Sequence, residues 1–393
     1  MVKNPIILQV LPTLEMGGVE RGTIEMAAAL KKQGIENYVV SAGGPMVREL
    51  DELGVEHITL PVQSKNPFVI WKNSFKLARV IREKKIDLIH VRSRAPAWSV
   101  KWASKITGIP FIATYHGVYG IKPKCFKKPY NRVMTTGKCV IAVSNFVKEH
   151  IMKNYDVPSE KIVVIHRGAD IQKFNPDQIT EKGLVDFRMK YGISANKPVI
   201  TLVGRLTSWK GQGVLLDALK QMSESEIQCL IVGSDQGRVE YTAKLKEQAQ
   251  KLPQNVEVKF ISSCTEMPLL YAASTIVVNA SLDPEAFGRV VVEAQAMGKI
   301  VVASGHGGAQ ETIQDGKTGF LFPVGDSAAL AEVLKRVLAL SEQKRNQIGA
   351  DSVQSVRENF STERMCNKTI QLYQEILKWS LGEIKNKSKL LPK

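Results

Sequence analysis

Short apolar runs recur along the chain, each closed by Gly, Pro or polar residues and followed by a longer segment whose apolar positions return every three or four residues. Runs such as Ile6–Leu11, Leu88–Val91, Phe111–Thr114 and Val140–Val143 show little polar alternation, which is the pattern of strands buried on both faces. Phe68–Glu83, Pro96–Thr107 and Asn145–Lys153 carry helical periodicity instead. With further strands at Tyr38–Ser41, His57–Leu60 and Val163–Ile165, the first half predicts a parallel, doubly wound α/β sheet.

A second series opens at Pro198-Val-Ile-Thr-Leu-Val203. It continues with strands expected at Cys229–Val232, Val256–Ile261, Ile276–Asn279, Ile300–Ala303 and Phe320–Phe322. The polar stretch 171–196 reads as a linker, so the pattern predicts one domain over 1–180 and a second over 181–359. A last helix, about 360–380, is expected to pack back on the first domain, and a basic tail, 381–393, to be disordered. Open parallel sheets bind ligands beyond the carboxyl ends of their strands, so two in tandem would face each other across a cleft.

Composition adds a compartment and a partner. The 393 residues are 44% apolar, enough for two cores. Cys125, Cys139, Cys229, Cys264 and Cys366 form no C-x-x-C pair, so neither a disulfide framework nor a zinc site is suggested. Without a signal-peptide pattern or a long apolar span, a cytoplasmic protein is expected. The net charge is +16, and Leu88–Lys148 holds eleven Lys and Arg and no acid, a field that attracts anionic partners, although a solvated basic face would have the same residues. Trp98, Trp102 and the stretch Tyr119–Tyr130 interleave aromatics with Lys, as interfacial membrane segments and nucleic-acid surfaces both do.

Candidate chemistry gathers in the second half. Glu285 and Glu293 stand eight residues apart in a segment read as a helix over Ala286–Met297, with Glu285 at its mouth and Glu293 roughly 12 Å further in. Backbone N–H groups around Phe287, Gly288 and Arg289 would then form an anion site at the helix start. An ordinary helix opening near Pro-Glu, with a second Glu facing solvent, has the same residues. Gly204, Arg205 and Lys210 follow a strand end and suit a diphosphate, a planar fork beside a point charge, although two solvated cations would look alike. Gly233–Gly237 and Gly307-Gly308 follow other strand ends, and His306 equally reads as a surface residue. Gly17-Gly18 makes a strand-to-helix turn that is neither G-x-G-x-x-G nor a P-loop.

Together with Tyr115-His116-Gly117, Ala142-Val-Ser144 and Glu311, these motifs resemble the retaining glycosyltransferases of the GT-B fold, family 4, over nearly the whole length. The resemblance implies two Rossmann-like domains facing a central cleft, the first binding acceptor and the second a nucleotide-sugar donor. It implies that Arg205 and Lys210 neutralise the donor diphosphate, Glu293 binds the ribose and Glu285 the donor sugar. Amides near Phe287 and Gly288 would cradle phosphate, His116 would contact the sugar near the reacting centre, and Gly17-Gly18 would approach phosphate and acceptor. The activity implied is transfer of a hexose from a UDP- or GDP-sugar to a glycan or lipid-linked acceptor. No cofactor is implied and, without a D-x-D run, no metal.

Acceptor binding in the first domain favours an anionic membrane surface over nucleic acid for the basic half, with the protein peripheral on the inner face of the cytoplasmic membrane. Bacterial lipopolysaccharide or other cell-envelope polysaccharide synthesis is the setting implied. Two departures stand out: Ser262-Ser263 where the family often has Gly, and Arg289, read as a surface helix residue, where many members carry an aliphatic one. A nucleotide-sugar epimerase, or a non-catalytic glycan- or nucleotide-binding module, would share the fold. An epimerase would consume donor without acceptor.

Overall fold

Seven parallel strands form the first sheet: β1 (Ile7–Val10), β2 (Asn37–Ser41), β3 (His57–Thr59), β4 (Leu88–Val91), β5 (Phe111–Tyr115), β6 (Val140–Ala142) and β7 (Ile162–Val164), in the spatial order 3-2-1-4-5-6-7. The computed structural model describes residues 4–15, 17–120, 124–222, 224 and 226–382, and the chain divides into two units, Met1–His166 with Glu363–Lys393, and Arg167–Thr362. Helices α1 (Gly18–Lys32), α2 (Val47–Glu52), α3 (Pro67–Glu83), α4 (Arg94–Thr107), α5 (Lys124–Arg132) and α6 (Asn145–Tyr155) alternate with these strands. β1, β4 and β5 are buried along their whole length, as their unbroken apolar runs require.

The second unit opens with α7 (Glu181–Tyr191) and then alternates β8 (Val199–Val203), α8 (Gln212–Leu219), β9 (Ile227–Val232), α9 (Val239–Gln250), β10 (Val256–Ile261), α10 (Met267–Ala273), β11 (Ile276–Asn279), α11 (Arg289–Ala296), β12 (Ile300–Ser304), α12 (Ala309–Thr312) and β13 (Phe320–Phe322). Its six parallel strands lie in the order 10-9-8-11-12-13, so the winding reverses between β8 and β11. Helices α13 (Ser327–Leu338) and α14 (Glu342–Asn359) follow, and α15 (Thr362–Gly382) ends the described chain. α15 belongs to the core of the first unit, where Cys366, Ile370, Tyr373 and Ile376 pack with Ile7, Leu88 and Ile112. Among the described residues no helix is long and apolar enough to cross a membrane.

A buried polar network ties α15 to that sheet. His90 on β4 bonds through Nδ1 to the Tyr373 hydroxyl at 2.5 Å and through Nε2 to Thr114 Oγ1 at 2.6 Å. Arg92 Nε donates to Gln9 Oε1 at 2.9 Å. Burial pushes His90 well below its ordinary value, and the neighbouring charges of Arg92 and His116 push the same way.

The structure corrects the sequence reading in several places. The supposed linker, 171–196, holds α7, whose N-cap Thr180 accepts from Gly183 N–H and whose end is set by Gly192 at φ +62°. Phe187 of that helix is buried with Ile193, Val199 and Leu230. Only Leu184, Phe187 and Tyr191 mark its inner stripe among charged residues, a signal too sparse to stand out. α5 was likewise missed inside the basic run, and α11 begins at Arg289, three residues later than expected. The basic tail lies outside the described residues from 383 onward.

Candidate functional site

The loops after β8 and β11, 204–211 and 280–288, meet at the point where the second sheet reverses its winding, the place where open α/β sheets hold ligands. Their backbones touch: Leu282 N–H donates to Trp209 O at 2.7 Å. Gly211 sits at φ +71°, and a Cβ there would lie 1.8 Å from the Ala280 carbonyl oxygen, so only glycine allows the approach. Gly204 is pressed from the other side by the loop after β9, where a Cβ on Gly233 would lie 2.1 Å from the Gly204 carbonyl oxygen.

This packing puts Lys210 against Glu285. Lys210 Nζ lies 2.6 Å from Glu285 Oε1, and the same oxygen accepts from Ser281 Oγ at 2.6 Å and Asn279 Nδ2 at 3.1 Å. Burial pushes the Glu285 carboxyl up, but Lys210 and the hydroxyl and amide donors outweigh it, and the group is held below its ordinary value. It is an anion fixed in place. Arg205 is exposed and lies over the Trp209 ring at 5.5 Å, and Lys210 approaches the same ring at 4.7 Å, so one indole orders both cations.

Glu285 stands in the loop, not at the mouth of a helix, so its spacing from Glu293 is not a length along one helix axis. Glu293 lies within α11 and is buried. Tyr271 donates to its Oε2 at 3.1 Å, and Arg289, four residues earlier, pairs with its Oε1 at 3.0 Å. Burial pushes Glu293 up, against the opposing pull of Arg289 and Tyr271. Arg289 is therefore not a solvated surface residue: its side chain is only 22% exposed.

The remaining predicted residues have mixed placements. Gly288 caps α11 at φ +88° and keeps its position at the helix start. The Phe287 ring is buried against Phe360, with centroids 5.9 Å apart, so only its backbone remains to meet a ligand. Gly307 and Gly308 serve packing first: a Cβ on Gly308 would lie 2.4 Å from Phe287 Cα, one on Gly307 2.6 Å from Glu285 O, and Gly308 N–H donates to Glu285 O at 2.8 Å. His306 donates through Nε2 to the Ser281 carbonyl at 2.9 Å and braces the same loop. In the first unit, extended Gly17 caps α1, which opens at Gly18, and His116 follows β5, half-buried. Gly44, at φ +142°, lets the loop after β2 pack on Leu14, which fixes the segment leading to Gly17.

Two family models match the chain, Glycosyltransferase Family 4 over residues 16–173 and Glycosyl transferases group 1 over residues 186–352. The D-inositol 3-phosphate glycosyltransferase of Corynebacterium urealyticum is 32% identical over 311 residues, 74% of this chain and 72% of that protein. The chain belongs to glycosyltransferase family 4. Among solved structures, a glycosyltransferase from Rickettsia africae superposes on this family 4 enzyme with a TM-score of 0.89 at 42% identity, covering 95% of this chain and 99% of the other. Anabaena HepE, solved with UDP and glucose, gives a TM-score of 0.82 at 25% identity, covering 95% and 100%. The two parallel sheets are the Rossmann-like domains of a GT-B glycosyltransferase.

Sequence reasoning missed the supports of the glycosyltransferase's two carboxylates: Asn279 and Ser281 for Glu285, Tyr271 for Glu293, and Trp209 for the cations. Two signals were available. Asn279 and Ser281 are polar residues at the carboxyl end of an otherwise apolar strand, and Arg289 stands four residues before Glu293, the spacing of a helical ion pair.

Proposed function

We propose that this glycosyltransferase moves a hexose from a UDP- or GDP-linked sugar to a glycan or lipid-linked acceptor, with retained configuration and without a metal ion. The observation that carries the reading is the Lys210–Glu285 pair beside Arg205 at the reversal of the second sheet. Glu285 takes one of the three Lys210 donors, and the ammonium still has protons to offer a diphosphate while the pair holds it in place. The crystallised complex of HepE with UDP-glucose supports the donor class. The name of the Corynebacterium relative supports an acceptor that is rich in hydroxyls and carries an anion.

In this reading Arg205 and Lys210 bind the diphosphate, with the amides at Gly288 and Phe287 beside it. Glu293 takes the ribose hydroxyls, and Glu285 takes hydroxyls of the donor sugar. His116, Gly17 and Gly18 keep the roles the resemblance implies, and Gly204 stands next to Arg205 on the diphosphate side. The acceptor oxygen attacks the anomeric carbon on the face from which the diphosphate departs. The carbon–oxygen bond to phosphate breaks, and the departing phosphate oxygen takes the acceptor's proton. Arg205 and Lys210 stabilise the charge that develops on it. Three donors on Glu285 Oε1 lower its nucleophilicity, which favours a sugar contact over a covalent intermediate.

The setting is cell-envelope polysaccharide synthesis, such as that of lipopolysaccharide, with the acceptor presented at an anionic membrane surface. The excess of Lys and Arg in the first half supports that surface. Incubation with UDP- and GDP-sugars, with and without a lipid-linked glycan, tests the reading. Product must form only with acceptor, since donor turnover without acceptor would point to the epimerase.

A further inference from the structure

α3 carries two stripes, and the larger residues are on the outside. Its inner stripe is Asn73, Ser74, Leu77, Ala78 and Ile81, all buried, with Asn73 bonded to Pro61 O and Ser74 to Ile70 O. Its outer stripe presents Phe68, Trp71 and Phe75, which are 60%, 56% and 51% exposed. These three rings form a ladder: Phe68 and Trp71 stack at 5.9 Å, and Trp71 meets Phe75 edge-on at 5.1 Å. The neighbouring helix α4 adds Trp102 and Ile106, 46% and 38% exposed, and Trp71 and Trp102 line one aromatic hollow of about 290 Å³ between the helices. A contiguous exposed face of aromatic rings of this kind is the mark of an interaction surface.

The charges around the rings identify that partner. Exposed Lys72, Lys76 and Arg79 lie on the outer face of α3 beside the ladder, with Lys105 on α4. Lys72 Nζ sits 4.5 Å from the Phe68 ring centroid, and Lys105 Nζ 5.0 Å from that of Trp102. The chain has no acid from His57 to Arg82, and none in α4. Rings flanked by cations without a single carboxylate suit the interface of an anionic bilayer: the rings enter at the level of the headgroups and the ammonium groups meet the phosphates. We propose that the outer face of α3, with Trp102 and Ile106 of α4, docks this glycosyltransferase on an anionic lipid bilayer.

This inference deepens the membrane part of the proposed function and moves the contact to a different element. Of the aromatics singled out in the basic run, Trp98, Tyr119 and Tyr130 are all partly buried, and Tyr119 is packed between the Arg94 guanidinium at 4.0 Å and the Tyr115 ring at 5.1 Å. Among the described side chains of that set, only Trp102 faces out. The basic run singled out in the sequence holds Lys105 and Trp102 but not α3, which carries most of the rings and cations of this face.

The test compares the full chain with a Phe68→Ser, Trp71→Ser, Phe75→Ser variant, using vesicles of phosphatidylcholine with and without phosphatidylglycerol. Wild type should sediment with the phosphatidylglycerol vesicles in low salt and be released by high salt. Its tryptophan fluorescence should be quenched by bromine-labelled lipid. The triple variant should keep its melting temperature, since the replaced rings are exposed, and lose at least about tenfold in vesicle partitioning. A Lys72→Glu, Lys76→Glu variant should lose binding in low salt by a similar factor. Equal sedimentation of wild type and triple variant, or an absence of bromolipid quenching, would overturn the proposal. So would a dimer in solution that the triple substitution splits without any vesicle binding, since the face would then belong to a second copy. Stabilisation by nucleoside diphosphates should be the same in all variants, so failure here and failure of the donor-site reading are distinguishable.

Discussion

Lys210 Nζ and Glu285 Oε1 lie 2.6 Å apart although 75 residues separate them in the chain, because Gly211 lets the loop after β8 settle on the loop after β11. Lys210 is the foremost of the groups that hold Glu285 below its ordinary value against its own burial. Replacing Lys210 by Ala leaves burial less opposed and raises that value. Glu285 should then remain ionised only at higher pH, and the acid limb of the kcat/KM profile should move upward. Transfer at neutral pH should fall by about a hundredfold or more, from the lost charge on the departing phosphate. A pH–rate profile of Lys210→Ala against wild type checks both effects.

Gly211→Ala tests the packing separately from the chemistry. A methyl group at this position meets the Ala280 carbonyl, and the backbone is left-handed as well, so the substitution should cost at least about 2 kcal/mol of stability. Denaturant unfolding measures it. Transfer should fall further than the population of folded protein explains, since Trp209 and Lys210 move with the loop.

Arg289 and Tyr271 position Glu293 and are expected to act through it. With Arg289→Met, burial acts on Glu293 with less opposition and its proton affinity rises further. Binding of the nucleoside diphosphate should weaken by about 1–2 kcal/mol. It should also become more strongly pH-dependent, with affinity declining as pH falls, because Glu293 takes up its proton at a higher pH than in the wild type. Titration calorimetry at several pH values reads this, and Arg289→Lys should restore part of the loss.

The apolar runs made both sheets legible, because strands buried on two faces leave no other pattern. Helices were harder. α7 hides its three inner residues among charges, and α11 starts at Arg289 after a left-handed backbone turn at Gly288 that the apolar sequence from Ala286 onward does not announce. Arg205, Lys210 and Glu285 could be picked out from their places after strand ends. Their partners could not, since Asn279, Ser281 and Trp209 gain meaning only when the loops touch. α3 shows the same limit: periodicity marks Phe68, Trp71 and Phe75 as one stripe but does not say which stripe faces the core.

The buried His90 gives the fold an acid limit. Its folded-state value is depressed, so above about pH 6.5 both folded and unfolded chains carry it neutral and the bonds to Tyr373 and Thr114 stand. Below that pH the unfolded chain takes up the proton more readily than the folded one. Stability should therefore fall as pH drops from about 6.5. His90→Gln should be less stable at pH 8 yet show a shallower loss between pH 6.5 and 5, measured by thermal unfolding across that range.

The central claim is that Arg205 and Lys210 bind a donor diphosphate, and thermal unfolding with UDP and with GDP tests it most directly. At about a hundred times the dissociation constant, a bound nucleoside diphosphate adds about 2.7 kcal/mol. One of the two should raise the melting temperature of the wild type and leave the Arg205→Ala, Lys210→Ala double variant unmoved. A wild type that responds to neither, or a double variant stabilised as much as the wild type, would contradict the account.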